Sequence, residues 1–109
     1  MSLRDKLVGP TEDEVLDNLK HLLLPHELLN KSSKIGLIKG VELALKNGAS
    51  VHGWNDMALR NASFYGHTKI VKLLLDKGAD RRVDNHYSFR MALKNGHIEI
   101  VELLKTYMK

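Results

Sequence analysis

An all-α solenoid of stacked helix pairs is the fold class this sequence predicts, and three observations predict it. Gly66-His67 returns as Gly96-His97, and Gly48-Ala49-Ser50 returns as Gly78-Ala79-Asp80, each after 30 residues. Between those marks the same apolar pattern recurs: Val41, Leu43 and Leu45; Ile70, Val71, Leu73, Leu74 and Leu75; Ile98, Ile100, Val101, Leu103 and Leu104. Upstream, WNDMALRNAS aligns with DNHYSFRMAL, pairing Asn55 with Asn85, Leu59 with Phe89, Arg60 with Arg90 and Ala62 with Ala92. A fixed period across independent positions is the signature of a repeat architecture.

The elements follow in order. Residues 1–10 read as a flexible tail. Thr11, followed three residues later by Glu14, forms a capping box. Val15, Leu16, Leu19, Leu22 and Leu23 then make one apolar stripe, so the spacing predicts a capping helix over 11–24. About three repeats fill 25–109. In the central unit, residues 56–64 form a short helix with Leu59 and Ala62 on one face. Gly66 ends it, because glycine tolerates the left-handed conformation just past a helix. Residues 68–76 form a second helix, apolar over more than half its surface, which must be covered on two sides. ADRRVDN crosses to the next pair as a short extended loop. No unit buries its apolar face alone, and stacking solves that. In the last helix Lys105 stands where Leu75 stood, a polar substitution that suits a terminal unit.

The bulk numbers fit. The 109 residues make one small domain, and a hydrophobic fraction of 43% supports a modest core. No apolar run approaches the roughly 18 residues of a membrane span, and MSLRDKLVGP lacks the apolar region of a signal peptide. Cysteine is absent, which excludes disulfides and thiol chemistry. These features lead us to expect an intracellular, cytoplasmic protein. The net charge of +4 is uneven: residues 1–55 carry 7 charges of each sign, whereas residues 56–109 carry 10 positive and 6 negative.

The segments YGHTKIVKLLLDKGAD, NGHIEIVELLK and KGVELALKNGAS resemble the ankyrin repeat, with its Gly-His helix start and Gly-Ala-Asp turn. The resemblance covers about residues 25–109. Two departures are visible. The period is 30 rather than about 33, and the shortening falls between Gly78 and Asn85, where the family builds a β-hairpin finger, so the fingers are expected to be short, down to a tight turn. The family's T-P-L-H is replaced by Met57-Ala58-Leu59-Arg60 and Tyr87-Ser88-Phe89-Arg90. This short, Arg-bearing form resembles the divergent ankyrin repeats of large DNA viruses.

Catalytic signatures are missing. The histidines at 21, 26, 52, 67, 86 and 97 show no metal-ligand spacing. No phosphate-binding glycine loop appears, and Ser63 has no His–Asp pair at a recognisable spacing. Neither an enzyme nor a cofactor or metal is expected. His67 and His97 share one repeat position and read as scaffold, as do Arg60 and Arg90, whose side chains suit loop carbonyls; the other reading of the two arginines is a pair of anion-binding arms.

The resemblance implies non-catalytic protein binding through a concave face. Its variable contact positions map onto Trp54 and Asp56, Phe64 and Tyr65, Asp84 and His86, and Lys94 and Asn95. Trp54, Phe64 and Tyr65 are half of the chain's aromatics, and their equivalents Asp84, Lys94 and Asn95 show that the scaffold does not require aromatics there. Arg81 and Arg82 add a basic rim, so the expected partner is a protein with an acidic surface. The alternative is a nucleic acid or other polyanion bound by Arg60, Lys69, Lys72, Arg81, Arg82 and Arg90, which would weaken steeply with salt.

Overall fold

A computed structural model describes residues 9–107, and among these the chain is all-helical. α1 (Glu12–Leu19) precedes three helix pairs: α2 (Pro25–Ile35) with α3 (Ile38–Lys46), α4 (Gly53–Tyr65) with α5 (Thr68–Asp76), and α6 (Val83–Lys94) with α7 (Ile98–Thr106). The first members pack in one row, α2 on α4 on α6; the second members pack in another, α3 on α5 on α7. The stack measures 52 × 30 × 18 Å. The tail expected over 1–10 lies, for residues 1–8, outside the described residues.

The capping box at Thr11 is present. Glu14 N–H donates to Thr11 Oγ1 at 3.2 Å, and Thr11 N–H donates to Glu14 Oε1 at 3.4 Å. α1 is shorter than the span 11–24 and ends at Leu19. It lies on α3, where Lys39 N–H donates to Glu12 Oε1 at 3.2 Å and Lys39 Nζ pairs with Asp13 at 2.8 Å. Leu16, Leu19 and Leu23 pack against the core from this side. α2 starts at Pro25, whose missing N–H costs nothing in a first turn; there Glu27 Oε1 accepts from Leu24 N–H at 3.0 Å.

The core runs the length of the stack as one cluster, including Leu29, Val41, Leu59, Ala62, Val71, Leu74, Ala92, Val101 and Leu104. α5 sits between α3 and α7 and buries Ile70, Val71, Leu74 and Leu75, as its apolar surface demanded. At the Lys105 position the last helix meets solvent.

Where α4 and α6 begin, the short loop between pairs closes as a tight turn whose backbone is left-handed rather than extended. Trp54, Asn55 and Asp56 have φ of 52°, 59° and 55°, and Asp84, Asn85 and His86 repeat this at 55°, 55° and 58°. Left-handed backbone costs an L-residue about 1–2 kcal/mol, with Asn and Asp the most tolerant. Two devices hold the turn. Ser50 Oγ accepts from His52 N–H at 3.1 Å, and Asp80 Oδ1 accepts from Arg82 N–H at 2.9 Å, in equivalent positions. The arginines close the other side: Arg60 Nε donates to Asn55 O at 3.0 Å and Nη2 to Trp54 O at 3.1 Å, and Arg90 does the same to Asn85 O at 2.9 Å and Asp84 O at 3.1 Å. The missing finger residues are thus replaced by three left-handed residues and a guanidinium cap.

Candidate functional site

The first helices of the pairs share one face that the core leaves open. Its positions recur at helical spacing: Glu27, Lys31, Lys34 and Ile35 on α2; Met57, Arg60, Asn61, Phe64 and Tyr65 on α4; Tyr87, Arg90, Met91, Lys94 and Asn95 on α6. All are exposed or half-buried. These positions include five cations, Lys31, Lys34, Arg60, Arg90 and Lys94, and one acid, Glu27.

The expected contact residues divide into three groups. At the turn end, Trp54 is 55% exposed, and His26 of α2 stands edge-on to it with ring centroids 5.0 Å apart. Asp84 is exposed at the equivalent place, and His86 is half-buried. At the far end of α4, Tyr65 is 46% exposed, packed edge-on against Phe64 at 4.8 Å with Lys34 Nζ 5.9 Å from its ring centroid. Lys94 is exposed beside this group, and Asn95 Nδ2 donates to Phe64 O at 3.0 Å. The aromatics therefore do not form one cluster: Trp54 pairs with His26 at the turn end, and Tyr65 pairs with Phe64 at the other end of α4.

The third group is turned to scaffold work. Asp56, expected at the contact surface, is 2% exposed. Its carboxylate accepts from His52 Nδ1–H at 2.8 Å and from Asp80 N–H at 3.2 Å, tying one turn to the next. A buried carboxylate needs such donors. Arg81 Nε donates to Tyr107 O at 3.0 Å, anchoring the end of α7. Arg82 pairs with Asp80 at 3.1 Å. Lys69 and Lys72 lie on α5, in the second row, and Lys72 pairs with Asp76 at 3.2 Å. The six cations named for a polyanion surface thus occupy two rows and a turn rather than one stripe.

His67 and His97 join neighbouring repeats. Nε2–H of His67 donates to Lys34 O at 2.8 Å, and that of His97 to Phe64 O at 2.9 Å. Lys34, Ile35, Tyr87 and His26 were not singled out in the sequence. A shift of 30 back from Phe64-Tyr65 falls on Lys34-Ile35, so the periodicity carried that signal; His26 beside Trp54 carried none.

At the end of the stack, Tyr107 Oη–H donates to Asp76. This hydrogen bond, and then Lys72, holds the Asp76 carboxyl below the usual range. Arg82, through its backbone N–H and then its side chain, does the same to Asp80. A folded-state pKa below the unfolded one contributes stability above the unfolded value, near 3.9, which is lost as pH falls through the folded value. The melting temperature is therefore expected to fall on acidification below about pH 5. Asp76→Asn should shallow that fall, as should Tyr107→Phe; thermal melts followed by circular dichroism check this, and an unchanged acid slope in both variants would refute it.

Among the described residues, no helix is long and apolar enough to cross a membrane. No curated protein matches the chain. The family profile of ankyrin repeats in three copies matches residues 18–108, which span α2–α7 together with the last residues of α1 and the segment after it. The helix pairs, the Gly-His locks and this match together place the chain in the ankyrin-repeat family.

Proposed function

We infer that this chain is a non-catalytic recognition module that binds an acidic protein across the face of α2, α4 and α6. Ankyrin repeats are generally protein–protein interaction modules, and the family is generally non-catalytic. The observation that carries the reading for this chain is Trp54. A bulky residue with left-handed backbone is uncommon, and the next repeat fills the same place with Asp84, a cheaper choice. Folding alone therefore does not ask for a tryptophan there. Its exposed ring offers a large apolar area with few rotatable bonds, which is what binding hot spots use. Tyr65 supplies a second anchor. The five cations between and beside them favour a partner of opposite charge.

The test copies the third repeat into the second. Trp54→Asp and Tyr65→Asn install residues that the scaffold already accepts, so stability should move by about 0.5 kcal/mol or less. Capture of protein from a nuclease-treated lysate is expected to be lost in the double variant. Partner capture left intact would refute the face, and capture abolished by nuclease would assign the chain to nucleic acid.

A further inference from the structure

Between the two aromatic patches the open face carries a constellation that recognition by Trp54 and Tyr65 does not use. Tyr87 lies between two guanidinium groups, with Arg60 Cζ 5.7 Å and Arg90 Cζ 5.8 Å from its ring centroid. Each arginine spends Nε and one Nη on the carbonyls of its own left-handed turn. The Nη1 edge of each is left over, and among the described residues neither guanidinium has a carboxylate within ion-pair distance.

We propose that Arg60, Tyr87 and Arg90 form a preorganised docking site for carboxylate side chains of the partner protein. The inference rests on the recognition reading above and names the chemistry at its centre. Three features support it. Among the described residues, no ion pair compensates the charge. The geometry is fixed in advance: a guanidinium anchored through two of its nitrogens has given up its rotamer freedom at folding, so a ligand that binds the third does not bear that cost. The spacing is set by the stack, because neighbouring helices lie about 8–10 Å apart. Each arginine therefore takes its own carboxylate, and the Tyr87 ring between them fills the gap with apolar surface. The in-register repetition that marks Arg60 and Arg90 as scaffold is also what makes them a pair.

The repeat itself supplies the controls, because Glu27 and Met57 occupy the Tyr87 position in the first and second units. Tyr87→Glu places a carboxylate between the arginines and leaves their turn contacts intact, while Tyr87→Met removes the ring and adds no charge. The probes are a fluorescein-labelled oligoglutamate peptide and a labelled oligothymidylate of matched charge, each titrated by anisotropy against the full chain. Circular dichroism confirms that each variant folds.

Oligoglutamate is expected to bind the wild type and to lose at least about tenfold in affinity with Tyr87→Glu, whereas Tyr87→Met, which removes the ring and keeps both guanidinium groups, should lose about threefold. No binding of oligoglutamate would overturn the proposal, and so would equal binding by wild type and Tyr87→Glu. Tighter binding of oligothymidylate with the same sensitivity to Tyr87→Glu would give the site to phosphate and overturn it too. The two readings fail separately. Lysate capture lost with Trp54→Asp/Tyr65→Asn but kept with Tyr87→Glu sinks the carboxylate site alone. Peptide binding with the expected Tyr87→Glu loss, beside capture that ignores Trp54 and Tyr65, sinks the aromatic face alone.

Discussion

Leu59→Ala is expected to cost about 2–5 kcal/mol of stability, the transfer of the lost side chain plus the cavity it leaves. Leu59 is fully buried in α4, the middle helix of its row, within the cluster that also holds Leu29, Val71 and Leu74. A domain of this size is stable by about 5–15 kcal/mol in total, so one such cavity removes a large share. Position makes the loss worse. In a stack each repeat touches only its neighbours, and stability is close to a sum of repeat and interface contributions. The central pair takes part in both interfaces, α2 on α4 and α4 on α6. Leu104 is buried to the same degree but sits in α7, at one end. Leu104→Ala should loosen α6 and α7 and leave α2 protected, whereas Leu59→Ala should expose amides along the whole stack. Thermal melts give the magnitudes, and hydrogen exchange gives the distribution. Equal loss of α2 protection in both variants would contradict the nearest-neighbour account.

Why the stack was legible and the turn was not comes down to which interactions repeat in the chain. The apolar positions of α3, α5 and α7 recur because each helix packs against the same kind of neighbour, and the pattern is visible before any coordinates. Gly-His recurs for the same reason, since His67 and His97 each bridge to the pair before. The guanidinium caps followed too: Arg60 and Arg90 repeat in register and reach loop carbonyls. The left-handed backbone of the turn is not legible, because three consecutive left-handed residues have no glycine to announce them. Trp54-Asn55-Asp56 and Asp84-Asn85-His86 share only the central Asn. Asp56 is a different case. Its burial depends on His52 and on the backbone of Asp80 one turn away, and no equivalent acid stands at His86 to mark the position. A contact made once leaves no period. Of the positions expected at the contact surface, Trp54 and Tyr65 are exposed, whereas Asp56 is drawn inward by the shortened turn.

Gly66→Ala is expected to cost about 2–3 kcal/mol, and the reason is a neighbour rather than the backbone alone. Gly66 has φ of +83°, so any side chain there is strained by about 1 kcal/mol or more. A Cβ at this position would also lie 2.7 Å from His97 Cε1 and 2.8 Å from Nδ1. The ring must then shift, and with it the Nε2–H donation to Phe64 O that joins the second repeat to the third. Gly78 separates the two contributions: its φ is +95°, yet nothing lies within 4 Å of a Cβ built there. Gly78→Ala should thus cost only the backbone part, about 1 kcal/mol. Combining Gly66→Ala with His97→Ala removes the collision, so the double variant should be less destabilised than the sum of the singles by about 1 kcal/mol. Gly36 stands in the same relation to His67, at 2.7 Å, and predicts the same coupling at the first interface. Coupling measured by denaturant titration would make the recurring Gly-His pair one inter-repeat lock, with the glycine of one repeat leaving room for the histidine of the next. Strict additivity would reduce it to a helix stop followed by an unrelated hydrogen bond.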